Sequence, residues 1–192
     1  MALATDASLP TDTETAEMGD RPLRSGEIDL CLPIFKNAID YTRVKVHNKQ
    51  FWWFFGFQKK NTVVSPIGEI FYPHNMFQED FSLSAGDEQC LFIHEMVHVW
   101  QYQLGYGLKT RAIQTWNPLS YEYTLDPANS LCDYNMEAQG NLICDYFALT
   151  VLGMPELVHE PNHVDDLALY AQVLGSFLAN PADKACLPHP HL

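Results

Sequence analysis

The stretch Glu88 to Leu104, which contains neither Gly nor Pro, constrains this chain more than any other feature. Within it Leu91, Val97 and Leu104 recur at helical spacing, and Gly105 and Gly107 follow as stop signals, so a helix is expected over 88–104. That helix carries His94-Glu95-Met96-Val97-His98. Residues at i and i+4 share one side of a helix, because 3.6 residues make a turn. Both imidazoles therefore face the same way, while Glu95 points beside them. Buried His and Glu each need a polar partner. A zinc ion (Zn2+) held by His94 and His98, with Glu95 as the base that deprotonates a water, satisfies both.

The same string recurs as His159-Glu160-Pro161-Asn162-His163. There Pro161 has no N–H and biases Glu160 away from helical angles. It suits the first position of a new helix, which leaves His159 outside, so no metal is expected at this second match. A catalytic zinc takes three protein ligands and keeps one open position. Cys90 lies on the face of His94, but Cys90 and His98 are about 12 Å apart along the axis, too far for one ion. The third ligand is expected from another element. Glu137 is the best placed, with His163 and Glu122 as alternatives. Glu137, Asn141 and Asp145 form a polar ridge at i, i+4 and i+8 on a second helix expected over 133–152, where the small Ala138 and Gly140 permit close packing. Asn141 or Asp145 is expected to orient a ligand histidine. Between the helices, Tyr121 and Tyr123 are candidates to stabilise an oxyanion.

Elsewhere the chain mixes helix and strand signals. A short helix is expected at 26–38, a strand at Thr42–His47, and a hairpin pairing Thr62–Val64 with Glu69–Tyr72 around Ser65-Pro66-Ile67-Gly68. A third helix is expected at 164–179, with Leu167, Tyr170, Leu174 and Phe177 on one face. The apolar run FWWFFGF at 51–57 reads as a core strand, or else as a patch that docks a partner or substrate. Residues 1–20 hold five acids and no base, and read as a disordered leader. The expected divisions are leader 1–20, catalytic domain 21–180 and irregular tail 181–192.

The fold class expected is α+β: one zincin-like domain, with a small antiparallel sheet and the motif helix packed on further helices. A net charge of −13 argues against nucleic acid as a partner, since neutralising phosphate needs clustered Lys and Arg. No apolar stretch reaches the roughly 20 residues of a membrane span. The first residues lack the pattern of a signal peptide, so synthesis in the cytoplasm is expected. Five widely spaced cysteines without a Cys-x-x-Cys argue against a disulfide framework and a zinc ribbon.

Residues 91–104, LFIHEMVHVWQYQL, together with YEYTL at 121–125 and NMEAQ…CDYF at 135–147, resemble the zinc metallopeptidase toxins associated with VgrG and Rhs proteins of bacterial type VI secretion. RPLRSGEI (21–28), VKVHN (44–48) and IFYP (70–73) are similar to segments upstream of that family's motif. The resemblance implies a gluzincin site: His94, His98 and Glu137 as zinc ligands and Glu95 as catalytic base, acting on a peptide or protein substrate. It further implies an antibacterial toxin, exported by type VI secretion to the periplasm of a target cell, with a VgrG- or Rhs-type carrier and an immunity protein as partners. Asn141 departs from the Asp that many gluzincins carry four residues after the ligand Glu. Two other readings are a cell-wall peptide amidase and a binding protein with a structural zinc, the latter marked by closed four-ligand coordination.

Overall fold

The computed structural model describes residues 14–53, 56–57, 61–107 and 120–189, with backbone alone at 52, 53, 56 and 57. The motif stretch forms a helix, α2, spanning Gly86–Gln103. Asp87 and Glu88 in its first turn complement the positive end of the helix dipole. Its chain exit is Gly105, at φ +95°, a conformation that costs a residue with a Cβ. The helix is buried on most sides: Phe92, Ile93, Met96, Val97, Val99 and Trp100 are all fully inaccessible. The indole N–H of Trp100 donates to Pro181 O at 2.6 Å, tying α2 to the last part of the chain.

The helix packed most closely on α2 is Met136–Phe147, here α3. It opens at Asn135, whose side-chain oxygen accepts from the backbone N–H groups of Glu137 and Ala138. The expected 133–152 helix is thus shorter at its start, where Leu131–Asp133 forms a 3-10 turn. At its end it widens into a π turn over Ala148–Leu152 and stops at Gly153, φ +65°.

The sheet holds β1 (Asp20–Pro22), β2 (Lys45–Asn48) and a third strand, β5 (Ile70–Tyr72), with β2 in the centre. Between β2 and β5 lies a separate antiparallel pair, β3 (Trp52–Trp53) with β4 (Gly56–Phe57). The α+β class is borne out, but the sheet is mixed. The β1–β2 pair is antiparallel, with Arg21 opposite Val46, whereas β2 and β5 run parallel, with Val46 opposite Ile70. A parallel pair needs a long crossover, and residues 49–69 provide it. The expected hairpin survives as a single antiparallel bridge, Val64 to Phe71. Whether the FWWFFGF run docks a partner turns on side chains outside the described residues.

Helix α1 covers Ser25–Phe35. The expected third helix is two pieces, α4 (Leu167–Val173) and α5 (Gly175–Ala179), joined at Leu174; Tyr170, Leu174 and Phe177 are buried, but Leu167 is 43% exposed. Beyond them the tail is irregular yet packed, with Cys186 buried and the His189 N–H bonded to Cys132 O. All five cysteines are free. No helix among the described residues is long and apolar enough to cross a membrane.

The leader boundary needs correction. The N–H and hydroxyl of Thr15 both donate to the Glu79 carboxylate. The Met18 N–H donates to Asn48 O, the Asn48 N–H donates to Gly19 O, and Asp20 opens β1. These bonds tie the segment to the end of β2 and to the stretch after β5, so residues 15–20 belong to the domain; residues 1–13 lie outside the described residues. A chain starting at Arg21 is expected to be about 2 kcal/mol less stable than one starting at Glu14, since a few hydrogen bonds at about 1 kcal/mol each are lost. Equal urea midpoints for the two would return the boundary to residue 21.

Candidate metal centre

Helical phase presents His94 and His98 on the side of α2 that faces α3. Glu137, in the first turn of α3, meets both. Its Oε2 lies 3.3 Å from His94 Nε2 and 3.2 Å from His98 Nε2. The approach depends on Gly140: a Cβ there would stand 2.5–2.8 Å from three ring atoms of His94. The three ligand-type atoms all lie within 4.8 Å of one another, and among the described residues no fourth His, Cys, Asp or Glu joins them. Ligands bound at about 2.0–2.1 Å in a tetrahedron stand about 3.3 Å apart. Two imidazoles and a carboxylate at these separations therefore fit a zinc ion.

The electrostatics follow from the same geometry. Burial opposes charge on His98, but the Glu137 carboxylate outweighs it and pushes the imidazole up to about 9. Burial likewise works against the Glu137 carboxylate, and the two histidines overcome it, holding the group well below the usual carboxylate range.

Glu95 is buried and turned aside from the cluster, with Oε2 accepting the hydroxyl of Ser65 at 2.7 Å. In the sequence Ser65 marks only a turn. The residue that orients a ligand histidine is also unanticipated. His98 Nδ1 lies 2.9 Å from Gln101 Oε1, so the imidazole hydrogen sits on Nδ1 and Nε2 faces Glu137. Gln101 donates in turn to Met136 O and Gln139 Oε1, and Gln139 donates to Leu131 O and Cys186 O. Both glutamines are fully buried. The one sequence signal was an uncharged amide at i+3 from His98, one turn along the same helix. Asn141 and Asp145, expected in this role, do other work. Asn141 donates to Tyr121 O, and Asp145 accepts from Tyr123 and His159.

The two tyrosines separate. The Tyr121 ring stacks beside His94, centroids 6.0 Å apart, and remains half exposed at the cleft. Burial, then the Glu137 and Glu95 charges, push its phenol above the ordinary range. Tyr123 is a correction: it is buried, with its hydroxyl 2.5 Å from both Asp145 and Tyr170, and so it is spent on structure rather than aimed at the site. Neighbouring positions in extended chain alternate sides, and Tyr121 and Tyr123 share a side only if the segment is regular, which it is not.

The alternative third ligands lie apart from the cluster. Glu122 is exposed, and His163 is engaged through Nδ1 with Asp166 and through Nε2 with the Leu125 N–H. The second motif match forms only a 3-10 turn at Pro161–His163. A cleft of about 430 Å³ opens over the site, and its lining includes the polar His94, Glu95, Tyr121, Asn141 and His159 and the apolar Leu91 and Leu157.

No protein-family model matches the chain. It is 39% identical over 140 residues to the type VI secretion system spike protein VgrG2b of Pseudomonas aeruginosa, a match covering 69% of this chain and 13% of that protein. The solved effector domain of Pseudomonas aeruginosa VgrG2b aligns with a TM-score of 0.59 at 30% identity, covering 86% of this chain and 85% of that one. The chain thus spans a small part of the spike protein and most of the solved effector domain.

Proposed function

The chain belongs to the family of the VgrG2b effector domain, and on that premise we propose that it is a type VI secretion effector that hydrolyses peptide bonds at a gluzincin-type zinc site. The observation that carries the reading is the convergence of His94, His98 and Glu137 beside an open cleft, with Glu95 one residue from the first ligand. When bound, zinc would polarise the scissile carbonyl and make the attacking water more acidic. Glu95 takes the water proton and passes it to the leaving amine. Ser65 occupies Glu95 Oε2, which leaves Oε1 for the proton. Gln101 holds the hydrogen of His98 on Nδ1, keeping the Nε2 lone pair for the metal. Tyr121 offers its hydroxyl to the developing oxyanion. A carrier of VgrG or Rhs type, an immunity protein and a periplasmic target complete the proposal. Three donors beside a cleft favour catalysis over a structural zinc, which would close four.

The test is metal analysis of the purified chain, paired with digestion of a mixed peptide pool. One zinc per chain is expected, kept in His159→Ala and lost in His94→Ala, with cleavage abolished by chelation and restored by zinc. A zinc-loaded chain that cleaves no peptide in the pool would overturn the reading.

The charge pair in the metal-free chain adds a pH prediction. The folded pKa of His98 is raised, so its contribution to stability is complete below about 6.5 and is lost as pH rises through about 9. The folded pKa of Glu137 is depressed, so its contribution is present above about 4.5 and is lost as pH falls through its folded value. Zinc must displace the His98 proton, so its affinity is expected to rise about tenfold per pH unit between about 6.5 and 9. Competition titrations at three pH values in that window check this, and a flat affinity contradicts it.

A further inference from the structure

Away from the cleft, a second set of metal-type donors meets where the last described residues cross the approach to α3. Cys132, Asp133 and His189 offer a thiol, a carboxylate and an imidazole, and their donor atoms all lie within 4.8 Å of one another. None of them lines the cleft. Cys132 and Asp133 sit on the 3-10 turn Leu131–Asp133, just before Asn135 opens α3. The Ser130 N–H donates to Asp133 Oδ2 at 2.9 Å, and Asp133 Oδ1 is 3.3 Å from His189 Nε2. His189 is brought there by its own backbone, whose N–H donates to Cys132 O at 3.0 Å. Both segments are also tied to one buried side chain: the Gln139 amide donates to Leu131 O, next to Cys132, and to Cys186 O on the way to His189. These anchors use backbone atoms and Oδ2 rather than the thiol, Oδ1 or Nε2.

We propose that Cys132, Asp133 and His189 form a second metal site, for a thiophilic divalent cation of the zinc class, which pins the segment around His189 to the turn before α3. Zinc ligands at about 2.0–2.3 Å in a tetrahedron stand about 3.3–3.6 Å apart. Asp133 Oδ1 and His189 Nε2 already meet this at 3.3 Å. The thiol, within 4.8 Å of both, closes on them with at most about 1.5 Å of side-chain movement. A thiolate beside an imidazole selects zinc-like ions, whereas calcium and magnesium take oxygen ligands. Binding releases the thiol proton to solvent and oxidises nothing. The site is weaker than the buried centre between α2 and α3, for two reasons. The His189 and Asp133 side chains are 45% and 38% exposed, so water completes the coordination. Burial, then the Asp133 charge, push the Cys132 thiol up, so its proton resists displacement. The purified chain is therefore expected to retain one ion, and this second site to fill only when metal is added.

The experiment titrates the metal-free, reduced full chain with cobalt(II), whose bond to a thiolate gives a charge-transfer band in the near ultraviolet. The first equivalent is expected to enter the centre of His94, His98 and Glu137, which holds no thiolate, without that band. The second equivalent should bring the band in. Cys132→Ser is expected to abolish the band and keep the first equivalent. His189→Ala and Asp133→Asn should each weaken the band-giving equivalent by at least about tenfold. In Asp133→Asn the amide oxygen can still accept from the Ser130 N–H, so the turn is preserved. A chain carrying both His94→Ala and His98→Ala should take up cobalt with the band alone. No band at excess cobalt, a band that survives Cys132→Ser, or an unchanged titration in His189→Ala overturns the site. A wild type that gives the band without any band-free equivalent supports this site and overturns the zinc centre of the hydrolase reading, so the two can fail separately.

Discussion

Glu95→Gln is expected to keep one zinc per chain and the wild-type melting temperature while lowering kcat by at least about 10³-fold. The substitution is nearly isosteric, and the amide oxygen can still accept the Ser65 hydroxyl that now meets Oε2 at 2.7 Å. What disappears is the ability to take a proton, and general base catalysis is worth about 10²–10⁴. Glu95 is not among the three convergent donors, so metal content should be indifferent to it. Glu137→Ala should show the opposite pattern, with weakened zinc binding, because its Oε2 is the atom shared between the two imidazoles. Peptide turnover in Glu95→Gln within tenfold of wild type would remove Glu95 from the chemistry. Equal zinc affinity in Glu137→Ala would remove Glu137 from the ligand set.

The largest stability effect is expected far from the cleft, at Glu27. This carboxylate is fully buried and receives a bidentate pair from Arg21, at 2.8 and 2.7 Å. It also accepts the backbone N–H groups of Arg24 and Phe81. Arg21 is 4% exposed, donates to Gln78 O and lies over the Phe77 ring at 5.4 Å. One ion pair thus joins β1, the start of α1 and the turn that leads into α2. Removing one partner of such a pair costs about 3–5 kcal/mol, because the other charge remains buried without it. For a chain of this size each kcal/mol moves Tm by about 2–4 °C, so Glu27→Ala should melt at least about 6 °C lower. The double change Glu27→Leu with Arg21→Met should recover much of that, since neither charge is then left behind. A Glu27→Ala chain within 1 kcal/mol of wild type in urea would show that the pair is not a keystone.

Sequence by itself determined what depends on neighbours within a few turns. A stretch without Gly or Pro, closed by Gly105, had to form a helix, and its i, i+4 spacing set both histidines on one side with Glu95 turned off it. The free cysteines and the α+β class were legible on the same grounds of periodicity and spacing. Only the tertiary structure decided among partners distant in the chain. Glu137 is brought to the histidines, ahead of Glu122 or His163, because Gly140 lets α3 approach His94 more closely than a Cβ would allow. Gln101 is an ordinary polar residue in sequence and becomes the group that orients His98 only when α3 seals it in beside Gln139. Ser65 reaches Glu95 across 30 positions, Thr15 reaches Glu79 across 64, and β2 finds a parallel partner after a crossover. Tyr121 and Tyr123, two residues apart, take opposite fates because Asp145 claims one hydroxyl and the cleft is left with the other ring. Local geometry follows from steric and hydrogen-bonding preferences that each residue carries with it. Which donor meets which acceptor across the core depends on how two surfaces fit, and no single segment contains that information.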